Sequence, residues 1–501
     1  MRGIPSLITD IRKNVFTEVA RMAYSGGDYS KAEDLPYIIV PGDQPLHRES
    51  VFLERAIAGE RVRLAMGLSI RPVQTRTLMT EGMDQAAIAE QYYEPPLVNI
   101  IPYACHACPT NSYCVTDLCQ NCLAASCQKV CPKNAVSFVN GKSHIDPDAC
   151  IRCGKCAKAC SYNAIVHIER PCQAACGMDA IGLDAHNRAV INQDKCVACG
   201  QCLVSCPFGA IVDKGQIFQV IQSILKGDQV IAIVAPAFIG QFGKNSTPEK
   251  FTTAMKMLGF DRVVEVAIGA DICTIEEAKD FVEKVPNEQP YMATSCCPAW
   301  HSMIHKLFPD QAENMSMTLT PMVFTARLIK KQMPNCKIVF VGPCAAKKLE
   351  AMRTDIRSDV DFVLTFEELM GMFQAKDVDF AAIPDGESMR EGTASGRGFA
   401  VSGGVAKAVE EVIHRIAPDT DVKTARAEGL RECRKLMQLA KVGKYKGYLL
   451  EGMACPGGCV AGAGTLLPVD LAANVVGRYQ NEADQKNSLE SPYHDSGAGL
   501  D

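Results

Sequence analysis

Cysteine is the residue whose number and spacing here point to chemistry. Of the 25 cysteines, seventeen fall between Cys105 and Cys206 and eight are scattered over the rest of the 501 residues. The opening MRGIPSLITDIRKNVFTEVA has no uninterrupted apolar export core and no twin-arginine motif, so a cytoplasmic protein with reduced thiols is expected. In that setting dense cysteines at short fixed spacings read as metal ligands, whereas Cys273, Cys336 and Cys433 read as inert buried thiols. A separate question comes from YMATSCCPAW, residues 291–300, where Cys296 and Cys297 are adjacent and precede the only tryptophan.

The spacing in the dense block selects the metal. Cys150, Cys153, Cys156 and Cys160 form a C-x2-C-x2-C-x3-C run, which Cys196, Cys199, Cys202 and Cys206 repeat. This is the bacterial ferredoxin signature, in which three cysteines of a run bind one [4Fe–4S] cluster and the fourth reaches the other cluster. Zinc sites instead use separated C-x2-C pairs. On that rule one cluster takes Cys150, Cys153, Cys156 and Cys206, and the other takes Cys196, Cys199, Cys202 and Cys160. A looser run, Cys119, Cys122, Cys127 and Cys131, lies upstream; Cys172 and Cys176 form a half-motif between the tight runs, and Cys105, Cys108 and Cys114 precede them all. An alternative pairs Cys119–Cys131 with the Cys150 run and leaves Cys172 and Cys176 to complete sites with the Cys196 run. Two accessory clusters are expected, and the cysteines suffice for four. The segments NAVSF, NAIVHI and GAIVD after successive runs read as the returning strands of an α+β ferredoxin-like iron–sulfur domain over 96–214.

The elements that must position the remaining cysteines begin after Lys214. QVIAIVAPA, RVVEVAIGAD and CKIVFVGP read as strands, alternating with FTTAMKMLG, IEEAKDFVEKV and FTARLIKKQM as helices. That is an α/β domain, 215–475, whose functional groups gather beyond the carboxyl ends of its strands. Cys297, Cys344, Cys455 and Cys459 fall there, each beside glycine or proline, and make a further [4Fe–4S] site assembled by the fold.

TSCCPAW, GPCAAKKLE and EGMACPGGCVAGAG, in this order, resemble the three signature loops of [FeFe]-hydrogenases, and the likeness runs over roughly residues 100–475. It departs from the clostridial type at Gly342, Ala237, Ala461 and Ala463, which marks a divergent branch. The resemblance implies an H-cluster domain of two lobes around the cofactor: a cubane on Cys297, Cys344, Cys455 and Cys459, with Cys459 bridging to a diiron subcluster that bears CO, cyanide and a dithiolate. Lys347 and the backbone at Ala235 and Pro236 would receive the cyanides, and Met453 would pack beside the bridging CO. Cys296 would be the first proton relay, followed by Glu277, Ser316 and Asp280. The reaction implied is 2H+ + 2e- ⇌ H2. Ferredoxin or a redox partner subunit would supply electrons, and dedicated hydrogenase maturation proteins the cofactor. A hydrogen-sensing relative or an iron–sulfur assembly or binding protein is the alternative; an electron carrier alone leaves the second domain without a use.

The ends carry less. Residues 1–95 read as a helical segment, with SLITDIRKNVFTEVARMAY and SVFLERAIAGERVRLAMGL amphipathic and LPYIIVPGDQPLH an extended linker. The tail 476–501 is polar and expected to be loosely packed. A net charge of -5 offers no basic excess for nucleic acid, and no apolar run is long enough for membrane insertion.

Overall fold

The computed structural model describes residues 6–26, 29–86 and 95–500; the other residues of the helical segment 1–95 lie outside it. Eight short strands carry the cysteine-rich part: β1 (Val98–Ile100), β2 (Ser112–Val115), β3 (Val136–Val139), β4 (Lys142–Ile145), β5 (Ile165–Ile168), β6 (Ile181–Leu183), β7 (Ala189–Ile191) and β8 (Ile211–Asp213). They pair antiparallel as β1–β8, β2–β5, β3–β4 and β6–β7. The first and last strands of each group thus pair, with a hairpin between them, in two copies of one unit. The copy β2–β5 is inserted within the other, between Cys108 and Cys172.

Backbone conformation confirms the repeat. The residue before the second cysteine of each run has a left-handed φ: 46° at Ala107, 48° at Asn121, 60° at Arg152 and 50° at Ala198. Three residues after each closing cysteine the same twist recurs, at Asn134, Asn163, Asp179 and Gly209. Asn, Asp and Gly are the residues that tolerate it. Cys105 and Cys108 are therefore the start of a run that Cys172 and Cys176 finish.

Seven strands follow: β9 (Val230–Val234), β10 (Arg262–Glu265), β11 (Met292–Ala293), β12 (Lys337–Gly342), β13 (Phe362–Thr365), β14 (Lys423–Glu428) and β15 (Tyr448–Met453). They form two parallel sheets, ordered β10-β9-β12-β13 and β11-β15-β14. β9 is buried throughout, as its unbroken apolar run VIAIV requires of a parallel strand covered on both faces. RVVEVAIGAD is strand only to Glu265; a helix starts at Ala267 and runs to Lys284.

The helical segment is not a detached cap. Helix Leu7–Ser25 packs on helices Phe366–Ala375 and Ile217–Lys226, burying Val15, Phe16, Val19 and Ala20 in the same core as β9 and β12. Arg12 pairs with Glu367 there, and lies 3.8 Å from Asp213 at the end of β8. LPYIIVPGDQPLH is not extended throughout: Leu35–Ile39 is a short helix with proline at its first turn, where the missing N–H is no loss.

The tail is packed rather than loose. Residue 476 lies inside helix Val469–Asn481, and Ser488, Ser491 and Leu500 are buried. Ser488 Oγ donates to Asp271 Oδ1 at 2.8 Å, and Arg327 Nη1 donates to the Leu500 carbonyl at 2.6 Å. Polar composition hid this because the polar groups are buried with partners.

Candidate active site

The carboxyl ends of four strands converge on one cavity. Ala235 and Pro236 follow β9, Cys296 and Cys297 follow β11, Cys344 follows β12 and Cys455 follows β15; all line it, with Lys347, Met453 and Cys459. Its walls are almost wholly apolar. The four cysteines expected to bind a cubane, from three distant loops, are thus brought to one place. Phe340 also lines it, and a Cβ on Gly342 would sit 2.4 Å from that ring, so the glycine at 342 makes room for phenylalanine.

CCPAW is built for a thiolate. Pro298 opens helix Pro298–Leu307 and Cys297 stands at its N-cap. Burial raises the Cys297 pKa, while backbone N–H groups of Ala454, Trp300 and Ala299 favour its thiolate. Trp300 is fully buried and its Nε1 donates to the Thr294 carbonyl at 3.1 Å, fixing the approach to the pair. The chain bends at Cys296, so the two neighbours do not point to opposite faces as an extended pair would; both reach the cavity.

The remaining electrostatics suit a polynuclear cluster. Burial and then mutual repulsion push Cys344 and Cys459 up to about 12, so only a bound metal would deprotonate them at neutral pH. Among the described residues no three His, Cys, Asp or Glu groups are drawn together as for a single metal ion. Four thiols around a dry cavity are the donor set of a cubane. Lys347 is buried; its ammonium pairs with Glu350 Oε2 at 2.6 Å and reaches Thr320 Oγ1 at 3.3 Å. Burial works against that charge, but Glu350 outweighs it and raises the pKa. The ammonium is thus charge-paired with Glu350 and hydrogen-bonded to Thr320, with donor capacity left for an anionic ligand in the cavity. Lys348 is buried too and faces away, bonded to Asp213 Oδ2 at 2.8 Å and Glu368 at 3.1 Å.

From Cys296 a polar path leads outward. Burial, then the Glu277 charge, holds the Cys296 thiol well above its ordinary range. Glu277, on helix Ala267–Lys284, is fully buried and accepts from Ser295 N at 3.2 Å. Burial raises its carboxyl to about 7, against the pull of Ser295 and Ser316, which favour the anion. Its Oε2 has no full hydrogen bond among the described residues. Asp280, three residues on along the same helix, is part-exposed and pairs with Lys284 at 3.1 Å. Cys296 thus borders the cavity, Glu277 is buried with Ser295 and Ser316 against it, and Asp280 stands part-exposed further along its helix.

The accessory cysteines sort differently from the tight-run rule. Cys206 shares a small cavity with Cys105, Cys108 and Cys172, and does not complete the Cys150 run. The charges that Cys199 feels are those of Cys202, Cys176 and Cys196, so Cys176, not Cys160, joins the Cys196 run. Cys127, Cys131, Cys150, Cys156 and Cys160 share a core of their own in the inserted copy. The crossing of the fourth cysteine is kept, but within each copy. Cys105 and Cys108 are site residues that spacing alone left aside, because the inserted copy separates them from Cys172; the MDAI after Cys176 was the available signal. Backbone amides serve the sulfurs in register: Ala135 N to Cys131, Ala164 N to Cys160 and Ala180 N to Cys176, at 3.3, 3.4 and 3.3 Å. Cys199 also lines the cavity of Cys297, Cys344, Cys455 and Cys459, and Gln201 Nε2 donates to Cys455 Sγ at 3.2 Å. The two cysteine sets meet there.

Known proteins match the same regions. The profile of the iron only hydrogenase large subunit, C-terminal domain, matches residues 228–463, and 4Fe-4S binding domains match 189–212 and 142–165. Iron hydrogenase 1 of Clostridium pasteurianum is 30% identical over 423 residues, 74% of this chain and 73% of that one. The periplasmic [Fe] hydrogenase large subunit of Nitratidesulfovibrio vulgaris is 29% identical, over 49% of this chain and 70% of its own. The nuclear prelamin A recognition factor of Xenopus laevis is 25% identical, over 51% of this chain and 70% of its own. An apo [FeFe]-hydrogenase structure from Chlamydomonas reinhardtii aligns with a TM-score of 0.45 at 24% identity, over 54% of this chain and 88% of that one. With hydrogenase likeness running through both cysteine-bearing parts, this chain belongs to the iron-only hydrogenase family.

Proposed function

We propose that the protein catalyses 2H+ + 2e- ⇌ H2 at an H-cluster held by Cys297, Cys344, Cys455 and Cys459. The single observation that carries this reading is Cys296. A proton-bearing thiol faces the cavity of the four ligand cysteines and backs onto a buried carboxyl titrating at about 7. When bound, the diiron cofactor supplies the site at which protons and electrons combine. The chain's own residues do the rest. The apolar walls would exclude water, Lys347 Nζ would donate to an anionic ligand of the cofactor, Ala235 and Pro236 would line the other side by contact, the Ala235 N–H being already bonded to the Val341 carbonyl, and Met453 would pack against the bound group. A proton passes between the Cys296 thiol and the Glu277 carboxyl, then by Ser316 Oγ to Asp280 and water. A carboxyl near neutrality is suited to both directions.

Electrons travel through a ferredoxin-like domain, 96–214, in front of the catalytic domain 215–475. By the rule of the outer copy, the inserted copy holds two clusters, on Cys119, Cys122, Cys127 and Cys160, and on Cys150, Cys153, Cys156 and Cys131. Ferredoxin or another acidic redox partner enters there: Leu118, Leu123, Ile151 and Tyr162 are exposed around these loops, among the exposed Lys129, Arg152, Lys155 and Lys158. Maturation proteins deliver the diiron unit. No helix among the described residues is long and apolar enough to cross a membrane, and the cytoplasm is the proposed location.

The test is hydrogen evolution from reduced viologen under strict anaerobiosis, after maturation in vitro, with infrared spectra of the same sample. CO and cyanide bands with turnover support the enzyme. Bands without turnover would make it a sensor, and failure to take up the cofactor, with no bands, would leave a binding protein.

A further inference from the structure

The inner site of the outer copy differs from the others in the charge around it. Cys105, Cys108, Cys172 and Cys206 line one small apolar cavity together with Arg170. Arg170 is only 1% exposed. Its guanidinium bonds to carbonyls and an amide alone: Nη2 to the Cys108 carbonyl, Nη1 to the Asn187 carbonyl at 3.0 Å, and Nη2 to Asn187 Oδ1 at 3.3 Å. Arg61 is 6% exposed and donates from Nη2 to the carbonyl of Gly209, three residues after Cys206, at 2.9 Å. The Nε of each has no partner among the described residues. Among those residues neither guanidinium forms an ion pair with a carboxylate, a property shared with buried Arg63, which is bonded to four carbonyls, whereas buried Arg12, Lys347, Lys348 and Arg397 all form one.

A buried permanent cation without an anion is strongly disfavoured, and two of them flanking one thiol cluster call for a counter-charge. Of the groups acting on Arg61, Arg12 and Arg48 are like charges and Cys206 is the one that would offset them as a thiolate; Arg170 acts in the same sense on Cys108 and Cys172. The other sites lack this feature. Beside Cys196 stands Lys306, whose Nζ bonds the Cys196 carbonyl at 2.8 Å from an exposed position where water screens it. Lysines around the inserted copy are exposed as well.

We propose that Cys105, Cys108, Cys172 and Cys206 hold a [4Fe–4S] cluster whose counter-ions are the buried guanidiniums of Arg170 and Arg61. This makes it the accessory cluster of highest reduction potential. The inference rests on the iron–sulfur reading above. Reduction of a cluster adds one electron and one negative charge, and fixed cations in a dry site favour the reduced form. The electron comes from the neighbouring clusters of the inserted copy and leaves toward the Cys196 run. This site therefore fills first and holds an electron ready beside the catalytic domain.

The test is a redox titration of the full chain, its clusters reconstituted anaerobically, followed by electron paramagnetic resonance. The wave of highest midpoint is expected to vanish in Cys105→Ser and Cys172→Ser, with a matching loss of iron. In Arg170→Gln and in Arg61→Gln that wave alone moves to lower potential. The ratio of reduced to oxidised cluster at the wild-type midpoint falls about tenfold, 59 mV for one electron. Arg170→Lys and Arg61→Lys bring it back. Should Arg170→Gln fail to fold, Arg61→Gln reads the same shift independently. If the cysteine variants remove a wave that neither arginine variant moves, the counter-ion assignment is overturned while the cluster stands. Unchanged iron and unchanged waves in both cysteine variants would overturn the site itself.

Discussion

At the scale of the residue, adjacent cysteines divide their labour through surroundings rather than through direction. Burial raises both thiols, but Cys297 faces three backbone N–H groups that oppose the rise, whereas at Cys296 the Glu277 charge adds to it. Glu277 can be tested by stability as well as turnover. Its carboxyl titrates at about 7 in the fold against 4.5 when free, so the folded state holds a proton that the unfolded chain has released between those values. Its contribution is thus most favourable below pH 4.5 and declines as pH rises to about 7. Glu277→Gln lacks this penalty and is expected to be more stable than wild type at pH 8, by about 3 kcal/mol at most, with the gap closing toward pH 5. Thermal melts at the two pH values check the sign, and hydrogen turnover is expected to fall at least about 100-fold. Lys347→Met has the opposite effect on the fold. It strands Glu350, 2.6 Å away and buried, and denaturant titration is expected to show a loss of about 3–5 kcal/mol. Adding Glu350→Gln should recover much of it.

At the scale of the element, the three signature loops were legible because each is short and contiguous, and strand ends in an α/β domain are where such loops gather. β9, β12 and the helices from 248 onward followed from local apolar period. The choice between the two cysteine pairings did not, because it depends on which strands pair; the structure favours the alternative that joins the Cys119–Cys131 run to the Cys150 run. β1 pairs with β8 more than a hundred residues away, and the inserted β2–β5 copy pairs only with itself. The join between the two cysteine sets was equally hidden. Gly200, φ 74°, lies so close to the third loop that a Cβ would meet Ala463 Cβ at 2.4 Å. Gly200→Ala should destabilise the protein by about 1–3 kcal/mol and weaken retention of the cluster on the Cys196 run. Thermal melting and iron analysis would show both.

At the scale of the whole molecule, buried charge knits the parts together. Arg12 from the first helix, Asp213 from β8, Lys348 behind Cys344 and Glu367 and Glu368 from one helix form a single network. Composition shows such residues as ordinary surface charges, so the network is invisible in the sequence of the helical segment. The tail misled similarly: Ser488 and Leu500 hold helices that the site depends on. Removing residues 482–501 strips Asp271, on the helix that carries Glu277, of its Ser488 partner, and a markedly lower melting temperature is expected where a polar tail would have been a neutral trim.

The central claim is that Cys296 carries protons for turnover. The most direct measurement is the hydrogen evolution rate of Cys296→Ala beside wild type, both matured with the diiron cofactor and matched by their infrared bands. A fall of at least about 100-fold at equal cofactor content is the predicted result. Equal rates in the two proteins would contradict it.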